Sequence, residues 1–373
     1  MATPKLFEPL ALRSLTLANR VVVSPLCQYS GVEGCVQPWH FAHLGGLVRG
    51  GAGLVFVEAT AVAPAGRITH GCLGLYDDDC EDAFADLLRY LRSVGPAKIA
   101  LQIGHAGRKG SSGRPWEGGA QIPAAAGGWA TVAPSALPIH AHEESPRAVG
   151  AAELELLRQQ FIDTVHRAER LGFDAVEVHA AHGYLLHQFL SPVANQRDDE
   201  FGGTLENSMR FPLAVIAAAR AAWPAHKPLG VRISATDWVQ GSGWDVPEAT
   251  TFSQRCEALG VDWIDVSSGG VSPQQKITLG PGYQVPFARA VKAAVKVPVM
   301  TVGLITDGSQ AEAILANGDA DLIAVGRGMM NDPHWAWRAA AALGTTIDAP
   351  RQYWRSQPRE TAHLFGDITF GQR

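Results

Sequence analysis

The chain has 373 residues, 46% apolar and 18% charged, an ordinary globular balance that allows one large domain or two smaller ones. A formal net charge of −5 and the lack of any Lys/Arg block argue against a nucleic-acid partner. No apolar run approaches the ~18 residues of a membrane span and no long apolar core follows Met1, so no membrane partner and a cytoplasmic location are expected.

Short apolar runs recur along the chain, each followed by a helical pattern. The candidate strands are Arg20–Val23, Leu54–Ala59, Lys98–Gly104, Ala175–Ala180, Leu229–Ser234, Trp263–Ser268, Pro298–Gly303 and Leu322–Arg327. They are short and rich in Val, Ile and Leu, as strands buried on both faces of a parallel sheet are. Between them lie candidate helices at Trp39–Arg49, Cys80–Val94, Ala151–Leu171, Glu206–Trp223, Pro247–Leu259, Pro286–Val295, Ser309–Ala316 and Pro333–Leu343. Leu154, Leu157, Phe161 and Val165 fall on one helical stripe, and Gly172, Gly260, Gly318 and Gly344 stand where helices should stop.

Eight β–α units predict a single (β/α)8 TIM barrel over residues 1–345 with a C-terminal arm, 346–373. A doubly wound sheet should show a glycine-rich G-x-G-x-x-G turn after an early strand. The first strand ends instead in Ser24-Pro25-Leu26-Cys27. Two stretches lie outside the repeat. Lys109–Arg147 is a long connection after the third strand, of a length typical of lids and binding loops. The tail carries Tyr353-Trp354-Arg355, an aromatic pair suited to docking. The five cysteines include no C-x-x-C pair, which excludes an iron–sulfur cluster or a disulfide framework.

In a TIM barrel the site forms at the C-terminal ends of the strands. Those ends deliver Cys27 and Tyr29, Ala59 and Thr60, Gln102 and His105, then His179, His182 and Tyr184 from the fourth strand. The fifth adds Arg232, the sixth Ser267-Ser268-Gly269-Gly270, and the last two Gly303 and Gly326-Arg327. Phosphate often binds after strands seven and eight. Gly303 and Gly326 allow close backbone approach, Arg232 and Arg327 add charge, and Gln102 can pair with a heterocycle edge. A phosphorylated, planar, hydrogen-bonding cofactor fits this set, and flavin mononucleotide (FMN) meets all three requirements. Other readings stand beside it: Gln102 as a structural amide, Cys27 as a small buried residue, and His179 with His182 as metal ligands. The metal reading lacks a third ligand, because Glu177 should point along the strand. His187, one helical turn later, reads as structural.

The motifs Ser24-Pro25-Leu26-Cys27-Gln28-Tyr29-Ser30, Gln102-Ile103-Gly104-His105-Ala106-Gly107-Arg108-Lys109 and His179-Ala180-Ala181-His182-Gly183-Tyr184 resemble the Old Yellow Enzyme family of flavin-dependent ene-reductases. So does the stretch from Asn195 to Asn207. Within the family the chain is most similar to the bacterial thermophilic-like class that includes the xenobiotic reductases. The resemblance implies that Ser24, Pro25, Cys27, Ala59, Gln102, Arg232, Gly303, Gly326 and Arg327 hold FMN, with Cys27 tuning its potential. It implies that His179 and His182 bind a substrate oxygen, that Tyr184 is the proton donor, and that Tyr29 and Lys109 contact substrate. Trp354 or Arg355 would reach a neighbouring subunit's site in a homodimer or homotetramer. The implied reductant is NADPH, or NADH, and the implied substrates are small activated alkenes conjugated to a carbonyl or nitro group. No metal is implied.

Overall fold

The computed structural model describes residues 3–241, 243–366 and 368. Eight parallel strands close into a barrel: β1 Val21–Val23, β2 Leu54–Ala61, β3 Lys98–Gly104, β4 Ala175–Ala180, β5 Leu229–Ser234, β6 Trp263–Ser267, β7 Val299–Val302 and β8 Leu322–Val325. Each strand pairs with its neighbours in sequence, and β8 closes on β1 with Ile323 opposite Val21. Around it run α1 Pro38–Arg49, α2 Asp78–Val94, α3 Ala151–Arg170, α4 Leu205–Ala222, α5 Val246–Ala258, α6 Val285–Lys292, α7 Gly308–Ala316 and α8 Trp335–Ala342. The expected (β/α)8 barrel is therefore the observed fold. The glycines expected to stop helices, Gly172, Gly260, Gly318 and Gly344, all take positive φ, from +65° to +87°.

The strands alternate between two apolar layers, as a period-2 side-chain pattern requires. Outward residues such as Val21, Val55, Ile99, Leu101, Val176 and Val231 pack on the helices. Inward ones, among them Val22, Leu54, Phe56, Ala100, Ala175, Trp263, Met300 and Leu322, fill the barrel floor. Trp263 lies across Gly230, where a Cβ would fall 1.9 Å from the indole, so β5 must carry glycine at that register.

The differences from expectation are local. An N-terminal hairpin, Leu10–Leu12 paired with Leu15–Leu17, packs its leucines on the floor layer. Its alternation is short, and its turn residue Arg13 (φ +50°) is not a usual turn former, which hides it in the sequence. Strands β7 and β8 end before Gly303 and Gly326. Gly303 turns the chain at φ +117°, and Arg327 opens a short helix, Arg327–Asn331. A second short helix, Leu185–Leu190, follows the fourth strand. Strand β2 runs on to Ala61 through a register shift between Val57 and Thr60. The Lys109–Arg147 connection holds short 3-10 turns and a two-residue ladder, Val132–Ala133 with Arg147–Ala148. In the tail, Arg351–Ser356 forms a 3-10 turn whose Tyr353 packs on Trp337 and His334. The far end of the arm expected to reach residue 373 lies outside the described residues.

Candidate active site

The inward face that builds the floor also builds the site, two residues further up each strand. Above Ala100 stands Gln102, above Ala175 stand Glu177 and His179, above Gly230 stands Arg232, and above Trp263 stand Asp265 and Ser267. Strand register makes Gln102 the neighbour of Glu177, and Arg232 the neighbour of both His179 and Asp265. The mouth opens into a cleft of about 680 Å³, within the ~300–1,000 Å³ range of small-molecule and cofactor sites.

The cleft is lined by Ser24, Pro25, Cys27, Tyr29, Ala59, Gln102, His179, His182, Tyr184, Arg232, Gly303, Gly326 and Arg327. Ala59 reaches it because of the register shift in β2. Lys109 does not line this cleft. Its ammonium is spent on two carbonyls, those of His182 at 2.8 Å and Gly270 at 2.9 Å. Trp354 and Arg355 also lie away from it; the Trp354 indole donates to the Ala349 carbonyl at 3.1 Å.

At one side of the mouth, His182 Nδ1 lies 3.3 Å from His179 Nε2, and the Tyr184 ring meets His179 edge-on with centroids 5.0 Å apart. Burial pushes both imidazoles well below their ordinary pKa, and nearby Arg232 adds to the shift. Both rings are therefore neutral at pH 7. Burial pushes the Tyr184 phenol well above 10, so it keeps its proton. His182 has φ +58°, an uncommon conformation for a residue with a side chain. Three bonds hold it: the Lys109 ammonium on its carbonyl, its N–H donating to Ser234 Oγ at 2.9 Å, and the next amide, Gly183 N, donating to His187 Nδ1 at 2.8 Å. His187 is fully buried against Asp237, Nε2 to Oδ1 3.0 Å, so its role is structural as expected.

Glu177 does not join the histidines. Its carboxylate turns into the barrel and accepts from Gln102 Nε2 and Trp263 Nε1, both at 2.9 Å. Burial and then repulsion from Asp265 push it up to about 8. Asp265, fully buried, faces Arg232 Nε at 3.1 Å. Burial raises its carboxyl and Arg232 opposes that shift. These two acids set the orientation of Gln102 and Arg232 and were not singled out as site residues. The period-2 pattern could have found them, one step below His179 and Ser267.

Near β1, Cys27 is held protonated by contact with the Cys72 thiol and by burial. Buried Glu58 accepts from Gln28 N at 3.0 Å and pairs with His40 at 3.4 Å, bracing the turn that presents Cys27 and Tyr29. Trp116 of the long connection meets Tyr29 edge-on at 5.8 Å. At the other end the cleft is lined by Tyr283, Gln284, Trp335 and Arg338, which sequence reasoning missed because they lie on helices and loops beyond the strand ends. Among the described residues no carboxylate lines the cleft, whereas Arg232, Arg327 and Arg338 do. A cationic, glycine-edged end and a neutral, hydrogen-bonding middle fit a phosphorylated heterocycle such as FMN.

Residues 5–345 match the NADH:flavin oxidoreductase / NADH oxidase family. The chain belongs to the Old Yellow Enzyme family. It is 43% identical to an NADPH dehydrogenase of Geobacillus thermodenitrificans, over 94% of this chain and 98% of that protein. An NADPH dehydrogenase of Bacillus subtilis is 41% identical over 94% and 98%. Among solved structures, morphinone reductase superposes with a TM-score of 0.77 at 27% identity, covering 94% of this chain and 92% of that one. Its complex with tetrahydroNAD gives 0.75 at 28%, covering 93% of each. As a member of the family the chain is an FMN-dependent oxidoreductase that draws on a nicotinamide reductant. Among the described residues no helix is long and apolar enough to cross a membrane.

Proposed function

We propose that the protein reduces the C=C bond of α,β-unsaturated carbonyl and nitro compounds, with NADPH as the preferred reductant. The observation that carries this reading is the pairing of two neutral imidazoles, 3.3 Å apart, with a protonated phenol on the same rim. Bound FMN supplies the hydride, taken from the nicotinamide. Ser24, Pro25, Cys27, Ala59, Gln102 and Arg232 would hold its ring and chain, and Gly303, Gly326 and Arg327 its phosphate. Tyr29 would face the substrate.

His179 and His182 donate to the substrate oxygen and draw electron density from the β carbon. Two donors fixed in a buried mouth act as an oxyanion site, where one lost donor costs a factor of about 10²–10³. Tyr184 then gives its Oη proton to the α carbon. Lys109 acts on substrate through His182, whose carbonyl it holds. NADPH dehydrogenase as the name of the 43%-identical relative, and morphinone reductase as a structural neighbour, support the reductant and the small-molecule substrate. Trp354 or Arg355, both outside their own cleft, would enter a neighbour's in a homodimer or homotetramer.

The test is optical. The purified protein should show a flavin spectrum that NADPH bleaches without air and that cyclohexenone restores. A bleached spectrum that cyclohexenone, a maleimide and a nitroalkene all leave unrestored would sink the alkene reading.

A further inference from the structure

His179 and His182 are neutral, so each ring carries one proton, and the surrounding bonds say where. Ala181 N–H donates to His179 Nδ1 at 3.2 Å, which puts the His179 proton on Nε2. With His182 Nδ1 3.3 Å away, that proton points at it. His182 Nδ1 is then an acceptor, and its own proton sits on Nε2, 2.7 Å from Ser267 Oγ. The Ser267 hydroxyl passes the polarity on to Gln284 Oε1 at 3.4 Å. Gln284 is fixed, because its Nε2 donates to the Val302 carbonyl at 2.8 Å. The chain of bonds is complete and runs in one direction. In that state His182 offers the cleft no donor.

A substrate oxygen gripped by both rings needs the opposite polarity at His182, with the proton on Nδ1. Besides the ring's own proton exchange with water in the cleft, only one hydroxyl must turn to allow it. Ser267 would give up its long 3.4 Å bond to Gln284 and donate across 2.7 Å to His182 Nε2. Gln284 Oε1 stays satisfied, since Ser268 Oγ donates to it at 2.5 Å. The serine is 5% exposed, so water does not readily take its place.

Resting on the reading of this pair as the substrate-oxygen site, we propose that Ser267 is a positioning residue that sets the His182 tautomer. It accepts from Nε2–H in the ligand-free site. It donates to Nε2 when a carbonyl, nitro or phenolate oxygen enters, so that His179 Nε2–H and His182 Nδ1–H both point at that oxygen. The ring stays neutral throughout: Nε2 gives its proton to water in the open cleft that both residues line, Nδ1 takes one from the same water, and the Ser267 hydroxyl, which keeps its own proton, turns to Nε2.

The experiment is long-range 1H–15N NMR on holoenzyme labelled in its histidines, with 4-hydroxybenzaldehyde as an unreactive probe. The His182 signals are assigned by their absence in His182→Gln. The expected result is an Nε2–H tautomer without probe and Nδ1–H at saturation. Ser267→Ala should bind the probe about tenfold or more weakly, the effect of leaving one buried ring nitrogen unpaired. It should keep its flavin content and lose the clean tautomer change, and Ser267→Thr should restore both. The idea falls if His182 keeps Nε2–H in the saturated wild-type complex, a result that needs no variant to fold. It falls also if Ser267→Ala binds as tightly with Nδ1–H. A wild type whose flavin spectrum and histidine signals ignore the probe would overturn the underlying reading of the pair as well.

Discussion

Lys109 Nζ donates to the His182 carbonyl at 2.8 Å while lying 4.9 Å above the Tyr184 ring. Its second bond, to the Gly270 carbonyl, ties the loop after β4 to the loop after β6. The ammonium therefore clamps the strained His182 turn instead of lining the cleft. Burial lowers it to about 8, so at pH 7 it is still charged. Lys109→Met removes two charge-assisted bonds, each worth about 1.5–3 kcal/mol. The expected outcome is a lower melting temperature and alkene reduction slowed at least tenfold, with FMN affinity little changed. Thermal melts, turnover and flavin titration on one preparation check all three. Flavin loss as the main effect would place Lys109 in the cofactor site.

Tyr184→Phe keeps the edge-on contact with His179 and removes only the hydroxyl. Reduction by NADPH should proceed nearly as in wild type, while the alkene step slows by about 10²–10⁴, the usual worth of a positioned acid. Since burial raises the phenol well above 10, wild-type alkene reduction should show no alkaline fall attributable to Tyr184 up to pH 10. Stopped-flow traces of the two half-reactions across pH separate these outcomes. Equal slowing of both would remove Tyr184 from the proton-donor role.

Asp265→Asn removes the charge opposite Arg232, both side chains being less than 10% exposed. Breaking a buried pair by deleting one partner costs about 3–5 kcal/mol. Arg232 then lacks its anchor, and Glu177 loses the neighbour that repels it. The variant should unfold at lower denaturant and release FMN more readily, read by flavin fluorescence on dilution. Unchanged flavin retention would show that Arg232 needs no anchor.

The barrel was legible because its strands repeat apolar runs at regular spacing, and the mouth followed from where those runs stop. That logic placed Gln102, His179, His182 and Arg232 together. It failed where contact depends on direction across the barrel. Glu177 reads as pointing along its strand and Asp265 carries no signal in the sixth run, yet the inward half of the alternation aims them at Gln102 and Arg232. Gln284 comes from a helix start, and only tertiary packing brings it to Ser267 and Ser268. Lys109 carried the right motif, but its reach to the His182 carbonyl depends on a loop path no periodicity encodes.

Acid stability should reflect histidines buried as neutral rings. His105, 4% exposed, accepts from Gly107 N at 3.0 Å through Nδ1, and burial lowers its pKa to about 4. His43 is lowered to about 4 by burial and by His40. Both lie below their ordinary 6.5, so between pH 6.5 and 4 the unfolded chain binds protons that the folded chain refuses. Their contribution is full above pH 6.5 and is lost as the pH falls toward 4. Each such group steepens the loss by up to about 1.4 kcal/mol per pH unit. His105→Asn keeps an acceptor near the Gly107 amide and removes the titration. Its stability at pH 7 should be lower through lost packing, but its decline from pH 6.5 to 4 should be shallower by about that slope. Denaturant melts of both proteins at several pH values give the comparison, and parallel declines would show that His105 does not refuse the proton.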